Sequence, residues 1–156
     1  MINKKRQLIV TQLDQILNGI KPLRNLDIPQ KGWLFQIRTS LNMSRKQMAN
    51  QLEITPQSVK EMEEREVSGS ITLRTLQEAA NALNMKLVYG LIPKDESIQK
   101  MIEKRTEEVA KIIVLRTSNS MKLEDQENSK ERIEKAIAEK ASELKYELPK
   151  FLWDKI

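Results

Sequence analysis

The chain has 156 residues, of which 39% are hydrophobic and 31% charged, and it contains only 4 Gly and 5 Pro. This composition is sufficient for a hydrophobic core and favours helices over a turn-rich β-sandwich or barrel. Because the sequence has no Cys and no His, disulfide bonds, Cys/His zinc sites and Ser-His or Cys-His catalytic pairs are excluded. A chain without Cys is also compatible with a reducing cytoplasm.

The positive charge is concentrated in the first part of the chain. The formal net charge is +5, and residues 1–94 carry 14 Lys and Arg against 8 Asp and Glu. Residues 95–156 carry 13 basic against 14 acidic residues. The first part is therefore the better candidate to bind a polyanion such as nucleic acid. The alternative from charge alone is a mildly basic surface without a specific partner.

The N-terminal segment, residues 1–31, is predicted to be a helical arm and a connector. Its basic start precedes an apolar run at 8–10 that is too short for a signal peptide or a membrane span, so we expect a soluble, cytoplasmic protein with no membrane partner. Apolar residues then recur at helical spacing through residues 4–19 and at the position after them: Ile9, Leu13, Ile16, Leu17 and Ile20. Residues 21–31 contain Pro22 and Pro29 and form the connector, and we expect the arm to pack on the domain that follows.

Residues 32–94 are predicted to form a domain of four short helices followed by one β-strand. The helices are expected at 32–41, 45–52, 56–65 and 73–83, with a loop at 67–70. Ser44, Thr55 and Thr72 are the expected N-caps, and Pro56 occupies a first helical position, where the missing N–H costs nothing. The first helix is expected to bury Trp33, and the next two to bury Met48, Ala49, Leu52, Val59 and Met62.

The strand is predicted within residues 85–93, where most residues are β-branched, aromatic or aliphatic and Pro93 ends the run. A single strand leaves its backbone groups unpaired. We therefore expect the same strand of a second subunit to pair with it in an intersubunit ribbon, which makes the protein a homodimer. Pairing with residues 25–30 of the same chain is the alternative. The dimerisation residues predicted for the ribbon are Leu87, Val88, Tyr89 and Leu91.

Residues 95–156 are predicted to be a helical region for dimerisation or partner binding. Helices are expected at 97–116 and 131–147, separated by a break at 117–120. Pro149 ends the second helix, and Phe151 and Trp153 of the tail are expected to pack on the body of the protein. The predicted fold class is thus mainly α, with a helix-turn-helix domain, one short strand and a helical C-terminal extension.

Two short helices joined by a tight turn at residues 44–64 predict a helix-turn-helix, whose second helix enters the major groove of DNA. Residues 41–63, "LNMSRKQMANQLEITPQSVKEME", resemble the XRE (lambda-repressor-like) helix-turn-helix family. The resemblance implies a compact helical domain that binds double-stranded DNA at a two-fold operator. The predicted DNA-binding residues are Ser44, Arg45, Lys46, Thr55, Gln57, Ser58, Lys60 and Glu61.

The resemblance also implies individual roles for these residues. Arg45 matches a phosphate-contacting position and Gln57 a base-reading position, where a Gln can pair with adenine through two hydrogen bonds. Ser58 and Glu61 match groove-facing positions, whereas Pro56 replaces a residue that often reads a base. Glu53 stands where the family often has Gly, and a Glu in a left-handed turn costs about 1 kcal/mol.

A second resemblance extends over more of the chain. The Trp33 helix, "GSITLRTLQEAANALNMKLVYGLIPKD" and "SMKLEDQ" are similar to the family called mobile mystery protein A. Members of that family are found beside a Fic-domain protein on mobile elements. The resemblance implies a transcriptional regulator, autoregulatory and antitoxin-like, with a Fic-domain protein as a possible partner.

Other interpretations of these residues are less specific. Lys46 and Lys60 could be solvated charges, and Arg38 and Arg74 are expected to be solvated or salt-bridged. No enzyme is expected, because the acidic run at 61–66 is predicted to lie on an exposed helix end without a partner that would shift a pKa. No Gly-rich phosphate loop is present, and no cofactor is expected.

Two functions therefore remain open. The first is a sequence-specific transcriptional regulator, and the second is an adaptor or antitoxin that neutralises a partner protein through residues 96–156. The first requires Gln57 and Arg45, whereas the second should survive their loss.

Overall fold

The computed structural model describes the backbone of residues 2–123 and 130–156 and the side chains of residues 3–119 and 130–156. The described chain is mainly helical, as predicted. Its helices are α1 (Ile2–Asn18), α2 (Trp33–Ser40), α3 (Arg45–Leu52), α4 (Pro56–Ser68), α5 (Leu73–Ala82), α6 (Ile98–Leu123) and α7 (Lys130–Glu147). Short 3-10 helices lie at Lys21–Asn25 and Lys150–Trp153. None of the described helices is long and apolar enough to cross a membrane.

The chain divides into two compact units with separate cores. Residues 25–90 form one unit, here called the helix-turn-helix unit, which contains α2 to α5. Residues 1–24 and 91–156 form the other, here called the terminal unit, which contains α1, α6 and α7. The predicted arm at 1–31 is therefore split, and α1 belongs with the C-terminal helices.

The core of the helix-turn-helix unit is built where α2, α3, α4 and α5 face one another. The residues predicted for the α3–α4 core are buried, including Met48 and Val59, which have no exposed surface, and Leu52 is partly buried against them. Ala49 is small enough to let α3 and α4 approach closely. Trp33 differs from expectation, because it is 40% exposed while Leu34 takes the buried position on α2.

Short polar residues cap the starts of three of these helices, as predicted. The side chains of Ser44, Thr55 and Thr72 accept hydrogen bonds from the backbone N–H groups three residues later and so cap α3, α4 and α5. Helix α4 runs to Ser68, three residues beyond the predicted end, and stops at Gly69 with a φ of 75°. Only the last part of the loop predicted at 67–70 is therefore non-helical.

In the terminal unit, α1 is fixed to the start of α6 by one carboxylate. Asp14 accepts hydrogen bonds from the backbone N–H groups of Ile98 at 2.8 Å and Gln99 at 3.1 Å. These donors have no partner within their own helix, so an acidic side chain from α1 satisfies them. The amphipathic face predicted for α1 is only partly used, because Ile9, Leu13 and Ile16 are exposed.

Helix α6 continues through residues 117–120, where the sequence predicted a break. Within this run the hydroxyl of Thr117 donates to the carbonyl of Ile113, one turn earlier, at 3.1 Å, and tertiary packing overrides the weak helix preference of the polar residues. Ser118 is buried, so a small polar residue lies on the packed side of α6. The second half of the motif "SMKLEDQ", residues 124–126, lies outside the described residues.

The C-terminal tail contacts the terminal unit through a different residue than predicted. Leu152 is fully buried in the core with Val109, Ala110, Ala141 and Leu144, whereas Phe151 and Trp153 are about half exposed. Arg105 of α6 donates to the backbone carbonyls of Leu152 and, at 2.6 Å, Asp154. The tail is therefore held by an aliphatic anchor and by backbone hydrogen bonds rather than by its aromatic rings.

The strand predicted at 85–93 is not formed in the described residues, which contain no β-strand. A strand requires a neighbouring segment to accept and donate its backbone hydrogen bonds, and neither residues 25–30 nor another described segment does so. Leu87 is partly buried, whereas Val88, Tyr89 and Leu91 are exposed. The β-branched and aromatic composition alone was not sufficient to predict a strand within a single chain.

Candidate nucleic-acid interface

The turn between α3 and α4 consists of Glu53, Ile54 and Thr55. Glu53 adopts the left-handed conformation predicted for it, with φ 55° and ψ 40°. This conformation lets the backbone N–H of Ile54 donate to the carbonyl of Ala49 at 3.0 Å, which closes the end of α3. Ile54 packs on the core, so the direction in which α4 leaves the turn is fixed from both sides.

The start of α3 is held by a reciprocal pair of hydrogen bonds. The hydroxyl oxygen of Ser44 accepts from the backbone N–H of Gln47 at 3.2 Å, and the side-chain oxygen of Gln47 accepts from the backbone N–H of Ser44 at 2.8 Å. This arrangement is a capping box, in which the side chain of Ser44 is bonded to the first turn of its own helix. Ser44 thus positions Arg45 and Lys46 at the exposed first turn of α3.

The start of α4 is capped in a similar way. The hydroxyl of Thr55 lies 2.8 Å from the hydroxyl of Ser58 and accepts from its backbone N–H at 3.1 Å. Thr55 and Ser58 are therefore joined to each other, and Gln57 is the polar side chain of this turn that extends into solvent.

The predicted residues Gln57, Lys60 and Glu61 lie on the exposed face of α4, where they form two side-chain pairs, the second with Glu64. The amide nitrogen of Gln57 donates to a carboxylate oxygen of Glu61 at 3.4 Å. The ammonium group of Lys60 lies 3.7 Å from a carboxylate oxygen of Glu64. In each pair the two residues are one helical turn apart and solvent-exposed, so the interaction between them is weak. These side chains can therefore give up their mutual contacts for contacts with a ligand.

A buried carboxylate lies beneath this face. Glu63 is 4% exposed, and its two oxygens accept from two different arginines. The Nε of Arg38 on α2 lies 2.6 Å from one oxygen, and the Nε of Arg45 on α3 lies 3.1 Å from the other. Glu63 therefore ties α2, α3 and α4 together.

Arg38 is almost completely enclosed by these helices. Besides Glu63, it donates through a terminal nitrogen to the carbonyl of Met43 at 2.7 Å, and its guanidinium lies 5.4 Å from the centre of the Phe35 ring. Arg38 is 6% exposed, which fits the salt-bridged alternative and not the solvated one.

The carboxylate of Glu66, on the same side of α4, caps α2. It accepts from the backbone N–H groups of Trp33 at 2.8 Å and Leu34 at 2.9 Å. Gly32 precedes this cap with a φ of 81°, and a Cβ at this position would lie 2.7 Å from a Glu66 oxygen. The expectation that the acidic run at 61–66 lies on an exposed helix end is therefore wrong for Glu63, which is buried, and for Glu66, which is partly buried.

The burial of these two glutamates has a signal in the sequence, namely their spacing along α4. Glu63 and Glu66 share the helical spacing of Val59 and Met62, both of which are buried, so all four positions lie on the inward face of α4. A carboxylate on the buried, mainly apolar face of a helix requires a cationic or N–H partner. Which arginine supplies it could not be derived, because Arg38 is 25 positions away.

Comparison with known proteins identifies the same segment. A family model described as helix-turn-helix matches residues 34–89, which is fewer than half of the 156 residues. The matching model is of the XRE type of helix-turn-helix, and the match indicates a DNA-binding regulator. No curated protein and no solved structure matches the chain.

Proposed function

We propose that this protein is a homodimeric, sequence-specific transcriptional regulator that inserts α4 into the major groove of a two-fold operator. The observation that carries the proposal is the geometry of α3, a three-residue turn and α4, in the segment that matches the helix-turn-helix family model. The first turn of α4 carries the exposed Gln57 and the partly buried Ser58, and a helix that reads base edges requires polar side chains at this end. This role needs no catalytic group or cofactor and places the protein in the cytoplasm.

The proposed contacts are assigned to polar side chains on α3 and α4. Gln57 is the base-reading residue, with Ser58 and Glu61 beside it in the groove. Arg45, Lys46 and Lys60 supply the phosphate contacts. Ser44 and Thr55 act mainly as helix caps, and their contribution to DNA binding is the orientation of the two first turns.

The proposed dimer uses the segment that contains Leu87, Val88, Tyr89 and Leu91. Three of these four apolar side chains are exposed, and a second copy of the segment would bury them. Sedimentation at micromolar concentration tests this interface. We expect a dimer that is weakened by Val88→Pro and not by Leu73→Pro, which alters an exposed first helical position of α5. A monomer with unchanged DNA affinity would exclude the interface.

Selection from a random pool of DNA duplexes tests the main proposal. We expect enrichment of an inverted repeat whose half-sites lie about 34 Å apart, or one helical turn. Footprinting with the full chain should show that these half-sites are protected. The binding affinity should decrease steeply as the salt concentration rises. If all DNA sequences were retained equally after several rounds of selection, the proposal of sequence-specific binding would be contradicted.

A second candidate function is an antitoxin or adaptor that binds a Fic-domain protein through the C-terminal helices. The observation that favours it is a terminal unit with its own core and exposed aromatic side chains at Tyr146, Phe151 and Trp153. The Fic partner itself rests on the resemblance to mobile mystery protein A alone.

Co-expression with a Fic-domain protein encoded beside the gene separates the two functions. If the second function holds, Phe151→Ala with Trp153→Ala abolishes rescue of growth, whereas Gln57→Ala does not. Rescue that depends on Gln57 and not on the tail would assign the effect to gene regulation.

A further inference from the structure

Glu63 holds the side chain of Arg45 in a defined orientation. The carboxylate is buried, and its second oxygen is bonded to the Nε of Arg45 at 3.1 Å. The Arg45 side chain itself is 40% exposed, so it extends from a buried anchor towards the surface of the first turn of α3.

The anchor leaves most donors of Arg45 available. A guanidinium has five N–H donors, and the bond to Glu63 uses the one on Nε. Within the part of the chain that the structure describes, no hydrogen bond involves the two terminal nitrogens of Arg45. These nitrogens form the flat fork that recognises phosphate oxygens in pairs.

The charge balance of the cluster also favours an anionic ligand. Glu63 faces two arginines, and Arg38 is enclosed and further engaged by the Met43 carbonyl. One positive charge therefore remains, and it lies on Arg45, the exposed member of the cluster.

We infer that Glu63 is a positioning residue for DNA binding. It contacts no DNA, but it holds the Arg45 guanidinium ready for a backbone phosphate beside α3. A long, flexible side chain loses rotamer freedom when it binds, and an existing anchor reduces that loss. This inference rests on the proposed function, because it requires that Arg45 contact phosphate.

The test compares the loss caused by Arg45→Ala in two backgrounds. The first is the natural chain. The second carries Arg38→Met and Glu63→Leu, which replace a buried ion pair with apolar residues, an exchange that folds often tolerate. Because one cation and one anion are removed together, the net charge is unchanged. Thermal unfolding of all four proteins establishes that they are folded.

Affinity for a nonspecific duplex is measured over a range of salt concentrations. In the natural chain, we expect Arg45→Ala to weaken binding about three- to tenfold and to lower the salt slope by about one. In the Arg38→Met/Glu63→Leu background, we expect the same substitution to weaken binding less than about twofold, because the side chain has already lost its anchor.

The outcomes separate the inference from the function on which it rests. An equal loss in both backgrounds would show that Arg45 contacts DNA without help from Glu63 and would overturn the inference alone. No loss in either background would overturn the phosphate contact as well.

A substitution outside the core keeps the test decisive if the second background does not fold. Arg45→Lys retains the charge, but a lysine ammonium cannot bind Glu63 and present a phosphate fork together. We expect Arg45→Lys to lose nearly as much affinity as Arg45→Ala. Full affinity of Arg45→Lys would contradict the positioning role.

Discussion

Glu53 occupies a left-handed backbone conformation that favours glycine. The conformation is retained because the turn into α4 depends on the bond from Ile54 to Ala49. We expect Glu53→Gly to raise the free energy of unfolding by up to about 1 kcal/mol, as measured by urea denaturation. The matched control is Gln51→Gly within α3, which should instead destabilise by about 1 kcal/mol. Destabilisation by both substitutions would contradict the strain assigned to Glu53.

Gly32 and Gly69 both have positive φ angles, but their surroundings differ. A Cβ on Gly32 would meet the carboxylate of Glu66 that caps α2, whereas a Cβ on Gly69 would meet nothing within 4 Å. We expect Gly32→Ala to destabilise the protein by about 2–3 kcal/mol and Gly69→Ala by about 1 kcal/mol. Thermal unfolding of the two variants measures the difference. Equal destabilisation would show that the contact with Glu66 is unimportant.

At the scale of helices, α6 and α7 are joined by Glu103 and Lys145, whose charged atoms lie 2.7 Å apart. The hydrogen bond from Lys145, and then that from Gln99, hold the pKa of Glu103 below its usual range. A lowered pKa stabilises the fold above the ordinary value of about 4.3, and this contribution disappears as the pH falls through the lowered pKa.

Glu103→Gln should therefore lower the unfolding temperature at pH 7 and have progressively less effect as the pH falls below about 4.3. Glu134→Gln, which changes an exposed glutamate of α7, is the control and should have little effect at either pH. A Glu103→Gln difference that stays constant with pH would contradict the role of the ion pair.

The helix-turn-helix was predictable because its signals are local. The polar caps Ser44 and Thr55 and the first-turn Pro56 mark helix starts that the structure confirms. The arrangement around Glu63 was not predictable, because its partners come from two other helices. The break expected at 117–120 failed for a different reason: Ser118 is buried, and tertiary packing overrides the weak helix preference of a polar run.

Within the described part of the molecule, each of the two units has its own hydrophobic core. The helix-turn-helix unit buries its own apolar residues within 25–90, so we expect a fragment of these residues to unfold cooperatively by itself. Circular dichroism during heating measures this. A gradual, non-cooperative loss of helix would show that the unit depends on the terminal helices.

The terminal unit joins both ends of the chain, so α6 and α7 without α1 should be less stable than the complete unit.

If the first turn of α4 reads base pairs, the base preference of the protein depends on the side chain of Gln57. The measurement is the affinity of the full chain for its selected operator and for single-base variants of it. We expect Gln57→Ala to weaken operator binding by about 1–3 kcal/mol and to remove the preference at one base pair in each half-site. Gln77→Ala, which alters an exposed glutamine of α5, should change neither quantity. If Gln57→Ala left the base preference intact, or reduced operator and nonspecific binding equally, α4 would not be the recognition helix.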